Sequence, residues 1–124
     1  MSDPQDERGM RTRREVLGDA HVDAAVAGTT DFTADFQRFI TRCAWDEIWN
    51  RPGLDRRTRS AITLTALIAG GHHDELVMHV RAAVRNGLTR EQIGEVILHS
   101  AIYCGVPAAN AAFRIAQRTL EDED

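Results

Sequence analysis

AITLTALIA, residues 61–69, is apolar almost all round a helix and contains none of the residues that break one. Asp55 stands ahead of it as a helix N-cap, and Gly70 and Gly71 stand behind it as a stop. A helix of this kind has to be buried on most of its sides, so it is the expected central helix of a core. Downstream, a second helix runs from about Asp74 to Asn86 and ends at Gly87. Thr89 and Gln92 then form a capping box, and Ile93, Val96, Ile97, Ser100 and Ala101 make a stripe that closes at Gly105. Pro107 opens a last helix rich in small residues. Upstream, a short helix over about Asp6 to Leu17 stops at Gly18, and GDAHVDAAVAGTTD reads as a loose connection. A further helix, capped by Asp31, carries Phe32, Phe36, Phe39, Ile40, Cys43 and Ile48 on an apolar face and ends at NRPG. Alternating β-branched runs are missing. The pattern predicts an all-α chain of six helices in one domain over residues 1–124, with flexible ends at about 1–7 and 121–124.

The composition narrows the chemistry. In 124 residues the apolar fraction is 43% and the charged fraction 27%, as in ordinary globular proteins. A net charge of -4 leaves no electrostatic footprint for nucleic acid. No apolar run reaches the length of a membrane span and the N-terminus has no apolar signal core, so a cytoplasmic location is expected. All fifteen basic residues are arginine. Without lysine, imine and pyridoxal mechanisms are excluded, while the planar guanidinium suits carboxylate substrates. Cys43 and Cys104 lie far apart, in neither a CxxC pair nor a zinc spacing, and no structural disulfide is expected.

The polar residues worth following sit on the helix after GG. At about 100° per residue, His72, Glu75, His79 and Asn86 share one stripe beside the apolar face of Leu76, Val80 and Ala83. A carboxylate four residues before an imidazole can fix its tautomer and tune its proton affinity. The same spacing also occurs as a weak surface pair worth about a few tenths of a kcal/mol. His72, Glu75 and His79 are also a conceivable metal triad, but the direction of His72 after the glycines is unfixed, and no metal is expected. Arg56, Arg57 and Arg59 begin the central helix, where cations are locally unfavourable, so Arg59 is a candidate for gripping a carboxylate. Arg51 and Tyr103 are further candidates for binding a substrate. Cys104 reads either as a small core residue or as a thiol, with no base close in sequence.

RPGLDRRTRSAITLTALIA and ELVMHVRAAVRNGLTREQIGEVILHSAIYCGVPAANAAF resemble the gamma-carboxymuconolactone decarboxylases, and RREVLGDAHVD and FITRCAWDEIWNRPGL extend the resemblance over about residues 8–120. The Glu/His helix, NGLT and YCGVPAA are shared more loosely with the wider alkylhydroperoxidase D-like superfamily, whereas VLGDAHVD points to the decarboxylase branch. The resemblance implies an all-α homo-oligomer, a hexamer, that needs no cofactor and acts on a small dicarboxylate lactone: 4-carboxymuconolactone loses carbon dioxide to give 4-oxoadipate enol-lactone. His79 and Glu75 would then be catalytic, Arg59, Arg51 and Tyr103 would bind substrate, and His21 of a neighbouring subunit would complete the pocket. GGHHDE departs from the expected approach to the Glu/His helix. Two other readings stay open. A peroxidase of the superfamily would need a cysteine where this chain has Glu75, and a non-catalytic helical oligomer would bind a ligand without releasing carbon dioxide.

Overall fold

A computed structural model describes residues 3–122. Among them it has seven α-helices, one π-helical segment and no strand. They form two compact units, divided between Leu54 and Asp55.

The N-terminal unit contains α1 (Pro4–Leu17), α2 (Asp19–Ala27) and α3 (Ala34–Ile40), which runs on without a break into the π-helical segment Thr41–Ile48. α1 starts earlier than expected because the Asp3 carboxylate accepts the Gln5 N–H at 2.8 Å and Pro4 pre-sets the first turn. Of the ends expected to be loose, residues 4–7 and 121–122 are helical and Asp3 is the N-cap of α1; residues 1–2 and 123–124 lie outside the described residues. The predicted connection after Gly18 is instead helix α2. Gly18 takes φ 92° and turns the chain, but Arg14 reaches across it to Asp19 at 3.1 Å and Asp23 at 2.8 Å, and the alanine-rich segment restarts at once. These two carboxylates hold the Arg14 guanidinium above its ordinary range, Asp23 contributing most. Asp31 caps nothing: α3 begins at Ala34, preceded by Thr33.

At the junction with the π segment the Thr41 hydroxyl donates to the Gln37 carbonyl at 2.8 Å, the kind of side-chain intrusion that loosens an α-helical ladder. α1 packs directly on this segment. Gly9 makes that approach possible, since a Cβ there would run into the Thr41 carbonyl oxygen. Along the seam Arg42 pairs with Asp3 at 2.8 Å and with Asp6 at 3.2 Å, Arg8 pairs with Asp46 at 3.2 Å, and Thr12 donates to Asn50 at 2.8 Å. The phenylalanines read as a core face point outward instead: Phe32, Phe36 and Phe39 are 96%, 61% and 60% exposed.

The C-terminal unit contains α4 (Arg56–Gly70), α5 (His73–Arg85), α6 (Arg90–Cys104) and α7 (Val106–Asp122). α5 and α6 pack on α4, and α7 packs on both. The core joins Leu64 and Ile68 of α4 with Leu76, Val80 and Ala83 of α5, Ile93 and Ile97 of α6, and the alanine ridge of α7. The caps are local and as the sequence implies. The Asp55 carboxylate accepts the Thr58 N–H at 2.8 Å, chiefly this bond holding it below the usual carboxylate range. Its cap is therefore fully formed above the ordinary aspartate pKa and is lost as pH falls through the lowered value. Thr89 and Gln92 exchange bonds of 3.0 Å.

The central helix differs from expectation. Within this chain α4 buries only Ser60, Leu64 and Ile68, while Ile62 on its outer face is 54% exposed.

Gly9→Ala should lower the stability of the N-terminal unit by about 1–3 kcal/mol through overpacking. Urea unfolding followed by the emission of Trp45 and Trp49, both in this unit, should show the earlier midpoint; an unchanged midpoint would mean that the contact is not tight. Asn86→Ala removes the amide that donates to the buried Ser60 hydroxyl at 2.9 Å. It should cost about 1 kcal/mol or more in circular-dichroism melts, and no cost would assign that bond no stabilising role.

Candidate functional site

α5 is fixed by one turn in its sequence. Leu76, Val80 and Ala83 are buried, so residues a quarter-turn away come to the margin of the core. His79 is half-buried there, and Glu75, one turn earlier, is exposed. Asp74 and Glu75 occupy the first turn, where carboxylates favour the helix dipole. The stripe read from the sequence is thus present, but its ends have other uses. Asn86 caps the helix and donates to Ser60 of α4 at 2.9 Å. The His72 ring folds back over Gly70, where a Cβ would meet its carbon and nitrogen atoms at 2.6 Å. His72 therefore turns away along α4 rather than toward Glu75 and His79, and among the described residues no three His, Cys, Asp or Glu side chains are grouped as metal ligands.

The arginines divide. Arg59 is half-buried in the first turns of α4, next to Ser60, on the helix that packs against α5. Arg57 lays its stem over the α5–α6 turn: at Gly87, whose φ is 103°, an added Cβ would meet Arg57 Cγ at 3.1 Å and Cδ at 3.2 Å. Arg51 is exposed and belongs to the N-terminal unit, and His21 is exposed on α2 of the same unit. Tyr103 is 78% exposed at the end of α6, with its ring 5.3 Å from that of His99. Both cysteines are free thiols, one in each unit, so the chain carries no disulfide between them.

The sequence reading passed over a groove between α4 and α6. Its volume is about 660 Å³, within the range of small-molecule pockets. Ala61, Ile62 and Ala66 make it apolar, and Glu95 and His99 stand on its α6 side. Thr65 and Ser100 hydroxyls approach to 3.4 Å between the same two helices. Glu95 and His99 repeat the four-residue spacing of Glu75 and His79, and that repetition was the signal available in the sequence. The C-terminal unit therefore carries a glutamate four residues ahead of a histidine twice, once at the margin of the core and once at an apolar groove. An imidazole is the side chain whose ordinary proton affinity suits proton transfer near neutral pH.

The carboxymuconolactone decarboxylase family model matches residues 34–118. A 4-carboxymuconolactone decarboxylase of Acinetobacter baylyi is 48% identical over 115 residues, 93% of this chain and 86% of that protein. Nitrosuccinic acid decarboxylase of Metarhizium robertsii is 41% identical over 116 residues, 94% of this chain and 81% of that protein. An uncharacterised 15.0 kDa protein of Paracoccus denitrificans is 36% identical over 85 residues, 63% of each chain. The matches run through α5, the α6 cap and the α6–α7 turn, and the chain belongs to the carboxymuconolactone decarboxylase family.

Proposed function

We propose that this chain decarboxylates 4-carboxymuconolactone to 4-oxoadipate enol-lactone and carbon dioxide in the protocatechuate branch of aromatic catabolism. No cofactor is required. The observation that carries the reading is a half-buried His79 one turn beyond Glu75, on a helix packed against the one that bears Arg59. The identity to the Acinetobacter decarboxylase supports it along nearly the whole chain.

The substrate's own structure explains why this set of groups suffices. The departing carboxylate is attached to a ring carbon that is linked through a double bond to the lactone carbonyl. When that carbon–carbon bond breaks, carbon dioxide leaves and the electron pair flows through the double bond into the carbonyl, giving a dienolate. A proton added to the carbon beside the carbonyl restores the lactone with its double bond moved. Three tasks remain for the protein. Arg59 holds the carboxylate that stays, with Arg51 and Tyr103 as further donors. His79 donates a hydrogen bond to the oxyanion or a proton to carbon, and Glu75 orients the ring or handles that proton. A preorganised donor to such an oxyanion contributes on the order of 3 kcal/mol, and positioned proton delivery about 10²- to 10⁴-fold in rate.

The enzyme would work in the cytoplasm as a homo-oligomer, a hexamer, in which the outward apolar residues Ile62, Leu98 and Ile102 are covered by other copies and His21 completes a neighbour's pocket. No described helix is long and apolar enough to cross a membrane. A second substrate reading comes from the Metarhizium relative. In a nitro-substituted dicarboxylate the nitro group would accept the electron pair in place of the lactone carbonyl, and a carboxylate would still remain for an arginine to hold.

Carbon dioxide release from authentic 4-carboxymuconolactone and from nitrosuccinate, compared as kcat/KM, should favour the lactone; a preference for nitrosuccinate would reassign the substrate, and no release from either would remove the activity. His79→Gln should leave the assembly intact by light scattering and lower kcat by at least about 10²-fold, whereas Arg59→Gln should act mainly on KM. Near-normal turnover in His79→Gln would take that residue out of the mechanism.

A further inference from the structure

We infer that the N-terminal unit holds an anion site of its own, a pocket in which the buried guanidinium of Arg13 binds the carboxylate of a small aliphatic acid. Arg13 is only 5% exposed on the face of α1. Its Nε–H is buried with no hydrogen-bond partner, and it forms no ion pair among the described residues. Five aspartates of the unit are taken by other arginines. Arg8 takes Asp46, Arg14 takes Asp19 and Asp23, Arg38 takes Asp6, and Arg42 takes Asp3 and Asp6. Burial alone pulls Arg13 below the ordinary guanidinium range, with no counter-charge acting in the other direction. A guanidinium still remains protonated at neutral pH, so this is a standing buried charge that the chain itself leaves unmatched.

A second group points to the same place. Gln37 Oε1 is also buried without a partner, and Gln37 and Arg13 line one cavity of about 440 Å³. That volume suits a small ligand. The two ends of an amide are distinguished only by their bonding, so the Gln37 carboxamide can turn its NH₂ toward an anion. Met10 and Val26 supply apolar wall for an aliphatic body. Asp6 and Arg38 also line the cavity; Asp6 Oδ1 is buried without a hydrogen bond, but its carboxylate is ion-paired with Arg38 at 3.4 Å and with Arg42 at 3.2 Å, so the lining charge left without an ion pair is that of Arg13. Thr41, where the helix changes to π geometry, completes the lining, and π-helical turns are frequent at functional sites.

The experiment is calorimetric titration of the full chain with sodium valerate, with tryptophan emission recorded in parallel. Trp45 and Trp49 are the chain's two tryptophans, and both lie in the N-terminal unit, so emission locates the response. Wild type should bind saturably and neutral valeramide should not. Arg13→Met should bind at least about tenfold more weakly, while Arg13→Lys keeps part of the affinity. Because Arg13→Met removes an unmatched buried charge, it should melt no earlier than wild type in ligand-free buffer. His79→Gln should titrate as wild type does. Absence of saturable valerate binding, or equal affinity in Arg13→Met, would overturn the site. Dissociation of the assembly in Arg13→Met, with no valerate binding by wild type, would overturn it too and assign Arg13 to a contact between copies.

Discussion

Burial of Leu76, Val80 and Ala83 against Leu64 and Ile68 sets the rotation of α5 about its own axis, and that rotation places His79 at the edge of the core. A helix turned by one residue, about 100°, would carry His79 either into the apolar core or fully into water. In the core an imidazole would be held neutral by desolvation, and in water it would have no preferred orientation. At the margin it is half-dehydrated and still reachable. The Asn86–Ser60 bond locks the same helix pair at the opposite end, so the polar stripe of α5 is structural at its C-terminal end and solvent-accessible nearer its start.

The second constraint is the shortage of cover. α4 is apolar on more faces than its own unit can bury, and α6 leaves Ile102 and Tyr103 each 78% exposed. Apolar side chains left in water in this way contribute nothing to the unit's own hydrophobic core. The groove between α4 and α6 lies on this uncovered side, with Glu95 and His99 beside it. The outward Phe32, Phe36 and Phe39 give the N-terminal unit a comparable face.

Features decided by near neighbours were legible in the sequence. The Asp55 cap, the Thr89–Gln92 box and the stops at Gly18, Gly71, Gly87 and Gly105 depend on residues within a turn, and each is where the pattern placed it. The restart of helix at Asp19 was hidden because Gly18 signals the end of one helix without fixing the conformation of the next segment, and because Arg14 acts across it. The π-helical segment has no composition of its own; the Thr41 hydroxyl and the close approach of Gly9 accompany it, and the second is a tertiary contact. His72 looked like a possible ligand until the ring proved to lie over Gly70. Arg13 was invisible within RTRR, since burial, not sequence, separates it from the exposed Arg11 and the ion-paired Arg14 beside it.

A proton delivered by a fixed imidazole at the edge of a packed helix reaches one side of the intermediate, whereas water reaches both. The direct measurement is turnover of 4-carboxymuconolactone in deuterium oxide, with the product's labelled carbon analysed by NMR. One carbon dioxide per lactone and one deuterium on a single face of the carbon beside the carbonyl is the predicted result. Unchanged lactone, or label spread equally over both faces, would contradict it.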